Sequence, residues 1–208
     1  DEVNDLNPES PWTGGVWSFT TAGFAIIDDF EDYDAGANQI WYSWYDGLGF
    51  GAPGSDPYYP GNGTGAAVGD ETTASYTEET IVHGGGQSMP LTYDNNKQGY
   101  AKYSEVELTL SAVRDWTEEG VTELSIWFRG GPENAAEPLY IAISNITGAA
   151  AMIVHEDPAA AQIDTWAEWL IPLQAFADQG INLNNVDRIA IGLGTRGSLT
   201  ASGGSGKM

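Results

Sequence analysis

Three observations predict an all-β chain, an antiparallel two-sheet β-sandwich of the jelly-roll type. Apolar and polar residues alternate over many short stretches. Helical periodicity fails almost everywhere. The 27 glycines and 10 prolines among 208 residues supply the turns between those stretches. With 41% hydrophobic and 12% aromatic residues the chain can build a substantial core, so its acidity does not signal disorder.

The elements follow in order. Residues 14–20 read as a strand with Val16, Ser18 and Thr20 on one face and Trp17 and Phe19 on the other. Residues 24–30 form an apolar strand ending in acids, and residues 41–45 a short aromatic strand or pinned loop. Residues 48–77 are mostly Gly, Pro, Asp, Ser, Thr and Tyr and read as one long loop, of the kind that serves a function or holds a ligand. Residues 87–93 place Met89, Leu91 and Tyr93 on one face. Residues 103–110 turn Val106, Leu108 and Leu110 inward and Glu105, Glu107 and Thr109 to water. Residues 123–129 bury Leu124, Ile126 and Phe128, and residues 139–144 bury Leu139, Ile141 and Ile143. Residues 151–154 and 166–171 are further strands, 173–177 a helical turn after Pro172, and 187–193 a strand burying Ile189, Ile191 and Leu193.

Charge and composition exclude several functions. Seven Lys and Arg against 30 Asp and Glu give a net charge of −23, which opposes binding to a phosphate backbone and to an anionic membrane surface. Without cysteine there is no disulfide, no thiolate zinc site and no thiol nucleophile. No apolar run approaches the roughly 18–20 residues of a membrane-spanning helix.

Two constellations carry chemistry. Asp28, Asp29, Glu31, Asp32 and Asp34 crowd the end of the second expected strand, and hard oxygen donors at this density suit Ca²⁺. On a strand, Asp29 and Glu31 share one side and Asp28 points away. The plainer alternative is a solvated acidic turn. The second constellation is aromatic, since the C–H faces of sugars stack on Trp and Tyr rings. Trp41, Tyr42, Trp44 and Tyr45 form the densest cluster, with Tyr58 and Tyr59 beyond it. Trp127 and Arg129 lie opposite the buried face of their strand, as do Tyr140, Ala142, Ser144, Ala190 and Gly192 of theirs. If these strands are neighbours, a Trp and an Arg flank a shallow groove with small residues beside them. The alternative covers Trp127 with the 48–77 loop. Trp12, Trp17, Trp166 and Trp169 are expected to pack inside. His83 precedes Gly84–Gly86, a run that lacks the Lys and helix of a phosphate loop, so a turn contact or a ligand hydrogen bond is its expected role. No nucleophile elbow occurs, and no acid sits in an apolar stretch that would raise its pKa for glycoside hydrolysis. Asn62 and Asn145 begin N-x-[ST] patterns.

Two resemblances extend this reading. Residues 1–21 (DEVNDLNPESPWTGGVWSFTT), through Asp1–Asn4 and Val16–Thr20, resemble the last hairpin of the fibronectin-type-III-like domains of large extracellular bacterial proteins, notably planctomycete ones. This implies a tail hairpin or linker strand at 1–21, a module at 22–208, and an excerpt of a longer protein. The motifs IDDFEDY (27–33), WYDGLG (44–49), TIVHGGGQSMP (80–90), LSIWFRG (124–130) and VDRIAIGLG (186–194) resemble the galactose-binding-like jelly-roll modules of bacterial surface proteins, a fold shared with carbohydrate-binding modules. The resemblance implies a non-catalytic, extracellular or cell-surface module that binds a polysaccharide or glycan through exposed aromatics. Its ligand residues would be Trp41, Trp44, Tyr45, Tyr58, His83, Trp127, Arg129 and Tyr140. A structural Ca²⁺ would sit against Phe30-Glu31, held by Asp28, Asp29 and Glu31. That pattern closes with a strand carrying paired acids, which the GGSGKM ending (203–208) does not reach. An unclosed sandwich has an open sheet edge, which supports a rival reading: a structural repeat of a filament, surface layer or adhesin, self-associating by strand exchange.

Overall fold

Alternating burial builds the largest sheet in the computed structural model, which describes residues 25–200 and 203–208. The expected strand at 14–20 and the boundary near residue 21 lie outside the described residues. The strands are β1 (Trp44–Tyr45), β2 (Ala66–Val68), β3 (Leu91–Asp94), β4 (Tyr103–Arg114), β5 (Glu123–Phe128), β6 (Leu139–Asn145), β7 (Ala150–Val154), β8 (Ala167–Pro172), β9 (Val186–Gly194) and β10 (Ser205–Lys207), with one short helix, α1 (Gln174–Ala177), between β8 and β9. Every strand pair is antiparallel. The chain is a two-layer β-sandwich, as its alternation predicts.

One layer is a continuous five-stranded sheet in the order β1-β4-β9-β6-β7. Val106, Ile141, Ile143, Ile189 and Leu193 point from it into the core and are buried. Full burial of such a side chain is worth about 1.5–3 kcal/mol relative to exposure. The facing layer is split into a three-stranded sheet, β10-β3-β2, and a two-stranded one, β5-β8. Their inward residues, including Ala66, Leu91, Tyr93, Leu124, Phe128 and Ile171, join the same core. The outer edge of β10 is met by the loop after β5: Ala135 N–H donates to the Ser205 carbonyl, and the Asn134 side chain exchanges two hydrogen bonds with the Lys207 backbone, at 2.8 and 3.0 Å.

Between the two halves of the split layer lies a cavity of about 560 Å³. Every residue from Leu124 to Gly130 borders it. Successive rather than alternate residues of a strand can do this only where the strand's edge faces the opening. Among the described residues, β5 pairs only with β8.

Several elements differ from expectation. Residues 25–30 form no strand: Phe30 has φ of 65°, and its N–H donates 2.8 Å to Asp28 Oδ1 in a local turn. The 87–93 strand begins only at Leu91, because Pro90 has no N–H to give a ladder. Strand β2 falls inside the expected long loop, and β10 in the Gly-rich ending. Residues 40–42 are a 3₁₀ turn ahead of β1.

Candidate functional site

The outer face of the five-stranded sheet gathers the polar and aromatic residues that the core excludes. Register sets three rows across it. Tyr45, Glu107, Ala190, Ala142 and Met152 stand opposite one another from β1 to β7. Beside that row run Glu105, Gly192, Tyr140 and Val154, and on its other side Thr109, Arg188, Ser144 and Ala150. Strands lie about 4.8 Å apart, so a five-strand row spans about 19 Å. Small side chains at 142, 190 and 192 form the base of a trough between taller flanks, and that base is itself buried, Ala142 to 1% and Ala190 to 3% exposure.

The Tyr45 flank is built by the 46–65 loop. Asp46, which is buried, accepts hydrogen bonds from the N–H groups of Leu48, Gly49 and Val68 at 3.0, 2.7 and 3.0 Å. Burial pushes its pKa up, and those same hydrogen bonds oppose the rise. Phe50 and Tyr59 then exchange two main-chain bonds, and Asn62 Nδ2 donates 2.9 Å to the Glu105 carbonyl. The loop is thereby fastened along β4, and Tyr59 stacks on Tyr45 with ring centres 4.6 Å apart. Burial and the nearby Glu107 charge push the Tyr59 hydroxyl up.

The charges on this face are paired. Glu105, expected to face water, is buried. Arg196 grips both its oxygens, at 2.7 and 3.0 Å, and the Tyr140 hydroxyl donates to it at 2.9 Å. Tyr140 can lie flat there because position 192 is glycine: a Cβ would stand 2.1 Å from the Tyr140 ring. Glu107 pairs with Arg188 at 3.4 Å. Burial, with Glu105 nearby, raises the Glu107 pKa while Arg188 opposes the rise. Arg188 Nε is buried without a hydrogen-bond partner among the described residues.

The residues singled out by sequence divide among three places. Tyr45 is in the trough, and Tyr58 is exposed on the loop that forms its flank. Tyr140 lies on the same face but is wholly buried, as a support for Glu105 rather than a platform. Trp44 is also buried, with Nε1 donating 2.7 Å to Asp28 Oδ2, and Trp41 is half-buried against Tyr42 and Phe50. His83, Trp127 and Arg129 belong to the opposite layer. The anticipated arrangement, Trp127 and Arg129 beside the small residues of β6 and β9, therefore does not form. Strands β6 and β9 are neighbours, but β5 is not in their sheet, so Glu107 and Arg188 stand where Trp127 and Arg129 were expected. Trp127 is 42% exposed rather than covered by the 48–77 loop.

The acidic cluster does not fit a cation cage. Asp28 accepts from the Tyr33 hydroxyl, Trp44 Nε1 and the Phe30 N–H. Both Glu31 oxygens accept from the Gly86 N–H at 3.0 Å, one also from that of Gln87. Asp29 caps the Glu31 N–H at 3.2 Å. Donor hydrogens thus engage both oxygens of Asp28 and of Glu31 and one of Asp29, and the described residues contain no group of three His, Asp or Glu placed to hold a metal. Asn145 is buried with Nδ2 donating to the Asn182 and Asn185 carbonyls, so its amide is not presented for glycosylation, whereas Asn62 is exposed with Nδ2 donating to the Glu105 carbonyl.

No protein-family model and no curated protein matches the chain. Two solved structures are similar to it. One is a family 11 carbohydrate-binding module from Clostridium thermocellum in complex with a β-1,3-1,4-mixed-linked tetrasaccharide, 18% identical over 79% of this chain and 90% of that one, with a TM-score of 0.39. The other is a family 30 carbohydrate binding module, 14% identical over 63% and 68% of the two chains, with a TM-score of 0.45. No helix among the described residues is long and apolar enough to cross a membrane.

Proposed function

We propose that the chain is a non-catalytic, extracellular carbohydrate-binding module whose ligand lies along the trough of the five-stranded sheet. The observation that carries this reading is the row that sets the Tyr45–Tyr59 stack beside the Glu107–Arg188 pair on the outer face of the sheet. Rings offer stacking surface to the C–H faces of sugars, while a carboxylate and a guanidinium fix hydroxyls by charge-assisted hydrogen bonds. A trough about 19 Å long accepts an oligosaccharide rather than a single sugar.

A binding rather than hydrolytic role is supported by the state of the carboxylates. A glycosidase needs two acids free to exchange protons across a cleft. Here both oxygens of Glu105 are held by Arg196, and Glu107 is paired with Arg188. Calcium has no part in this proposal, because the carboxylates expected to hold it accept hydrogen bonds from Tyr33, Trp44 and the 86–87 backbone.

Affinity electrophoresis through gels containing cellulose derivatives, mixed-linkage β-glucan, xylan, mannan and galactan tests the reading. At least one neutral polysaccharide is expected to retard the protein, and Arg188→Ala to abolish most of that retardation. Free migration through every gel would overturn it.

A further inference from the structure

The opposite face of the sandwich holds a second constellation that the trough does not use. On the outer side of β5 and β8, Trp127 stacks on the His83 imidazole with ring centres 3.7 Å apart and planes 18° from parallel, and Trp166 meets His83 edge-on at 5.8 Å. The platform is held from below. The Gly86 and Gln87 N–H groups are fixed on the Glu31 carboxylate, and Gly85, with φ of 69°, has a Glu31 oxygen 2.2 Å from where a Cβ would stand. The positive φ and this close approach favour glycine at 85, whereas position 84 has open space around it.

Hydrogen-bonding groups surround the rings. Glu168 stands directly opposite Trp127 in the β5–β8 register and accepts from Ser125 Oγ at 2.7 Å. Arg129, two residues along the same face, gives its Nε to the Asp164 carbonyl at 2.7 Å. Its two terminal nitrogens have no hydrogen-bond partner among the described residues. Trp127 and Leu170, on one face, are exposed to 42% and 50%. A ring platform rimmed by a guanidinium, a carboxylate and a hydroxyl recognises a molecule with an apolar face and polar edges, and not a purely apolar partner.

We infer that the Trp127–His83 platform is a second pyranose-binding site. The core-facing residues of both layers belong to one cluster, so the outer faces of β5–β8 and of the five-stranded sheet point away from each other. Two such sites cannot grip one short ligand. They join two polysaccharide chains, and the module is a cross-linker. Linked binding of this kind raises retention on a polymer by about 10²–10⁴-fold without changing either site's own affinity. This inference rests on the carbohydrate reading of the trough, but its failure is separable from the failure of that reading.

The test compares the full chain with Trp127→Ala, Arg188→Ala and the double variant, each first shown by circular dichroism and thermal melting to be folded. His83→Phe, which keeps a ring stacked on Trp127, serves as the conservative control. Each is titrated with soluble mixed-linkage β-glucan, hydroxyethylcellulose and xylan, reading turbidity, and with their tetrasaccharides by calorimetry. The wild type and His83→Phe are expected to form turbid complexes and bind two tetrasaccharides per chain. Each single variant should stay clear and bind one, and the double variant none. One tetrasaccharide per chain for the wild type, unaffected by Trp127→Ala and abolished by Arg188→Ala, overturns the second site and leaves the trough standing. Binding abolished by Trp127→Ala and untouched by Arg188→Ala overturns both the trough and the cross-linking. No binding of any probe overturns the carbohydrate reading altogether.

Discussion

The five-stranded layer and the split layer share one core and differ in how they are closed. In the first, an unbroken ladder from β1 to β7 fixes the rows of side chains on its outer surface, and charges placed there are held in pairs, Glu105 with Arg196 and Glu107 with Arg188. In the second, the ladder stops at β5, a cavity of about 560 Å³ opens beside it, and rings stand in place of paired charges on the outer surface. The continuous sheet sets Glu105 and Glu107 on β4 within reach of Arg196, just past the end of β9, and of Arg188 on β9. The two-stranded piece presents rings instead.

The contrast in packing yields the largest expected effect. Ile143 is fully buried in the continuous layer and does not border the cavity, so Ile143→Ala should cost about 4 kcal/mol in denaturant unfolding. Ile126, on the edge strand against the cavity, already lacks neighbours on one side, and Ile126→Ala should cost about 1 kcal/mol, below the usual range for closed cores. Equal losses would erase the distinction between the layers. Arg196→Ala should cost about 3 kcal/mol, because Glu105 is left buried and uncompensated. Adding Glu105→Gln should recover part of that loss, and its failure to do so would mean that the pair is not the reason.

A smaller effect concerns pH. Burial holds the Glu107 pKa in the folded state above its ordinary 4.5. The folded chain therefore takes up this proton before the unfolded chain does on acidification. The group's contribution to stability is greatest below pH 4.5 and is lost as pH rises through the folded value. Binding carries the opposite sign, since protonation removes an acceptor from the trough. Glycan affinity should fall on acidification through the raised folded value of Glu107, where this group's own contribution to stability does not fall, and Glu107→Gln should flatten that part of the binding curve. The smallest expected effect is none: a chelator should leave the melting temperature unchanged, because hydrogen-bond donors hold Asp28 and Glu31.

Much of the fold was legible because period-two burial leaves a direct mark. The inward sets of β4, β5, β6 and β9 read correctly from alternation. What failed depended on partners distant in sequence. The short strands β2 and β10 have no pattern of their own and exist through their pairing with β3. Residues 24–30 alternate like a strand, yet the described part turns where Asp28 captures the Phe30 N–H. In the site, alternation placed Trp127, Arg129 and Tyr140 outward but could not assign them to sheets. Glu105 and Arg188 were illegible as a buried acid and a trough cation because their partners lie 91 and 81 residues away. The spacing GGG ahead of β3 was a usable signal for a close approach, and Glu31 was the group it approached.

The central claim is that the trough of the five-stranded sheet binds a glycan through the Tyr45–Tyr59 stack. Calorimetric titration of the wild type and of Tyr45→Ala with the oligosaccharide of whichever polysaccharide retards the protein tests it most directly. The account predicts that Tyr45→Ala loses at least tenfold in trough affinity, about 1.4 kcal/mol, while melting within a few degrees of the wild type. Undiminished affinity in a folded Tyr45→Ala variant would contradict it.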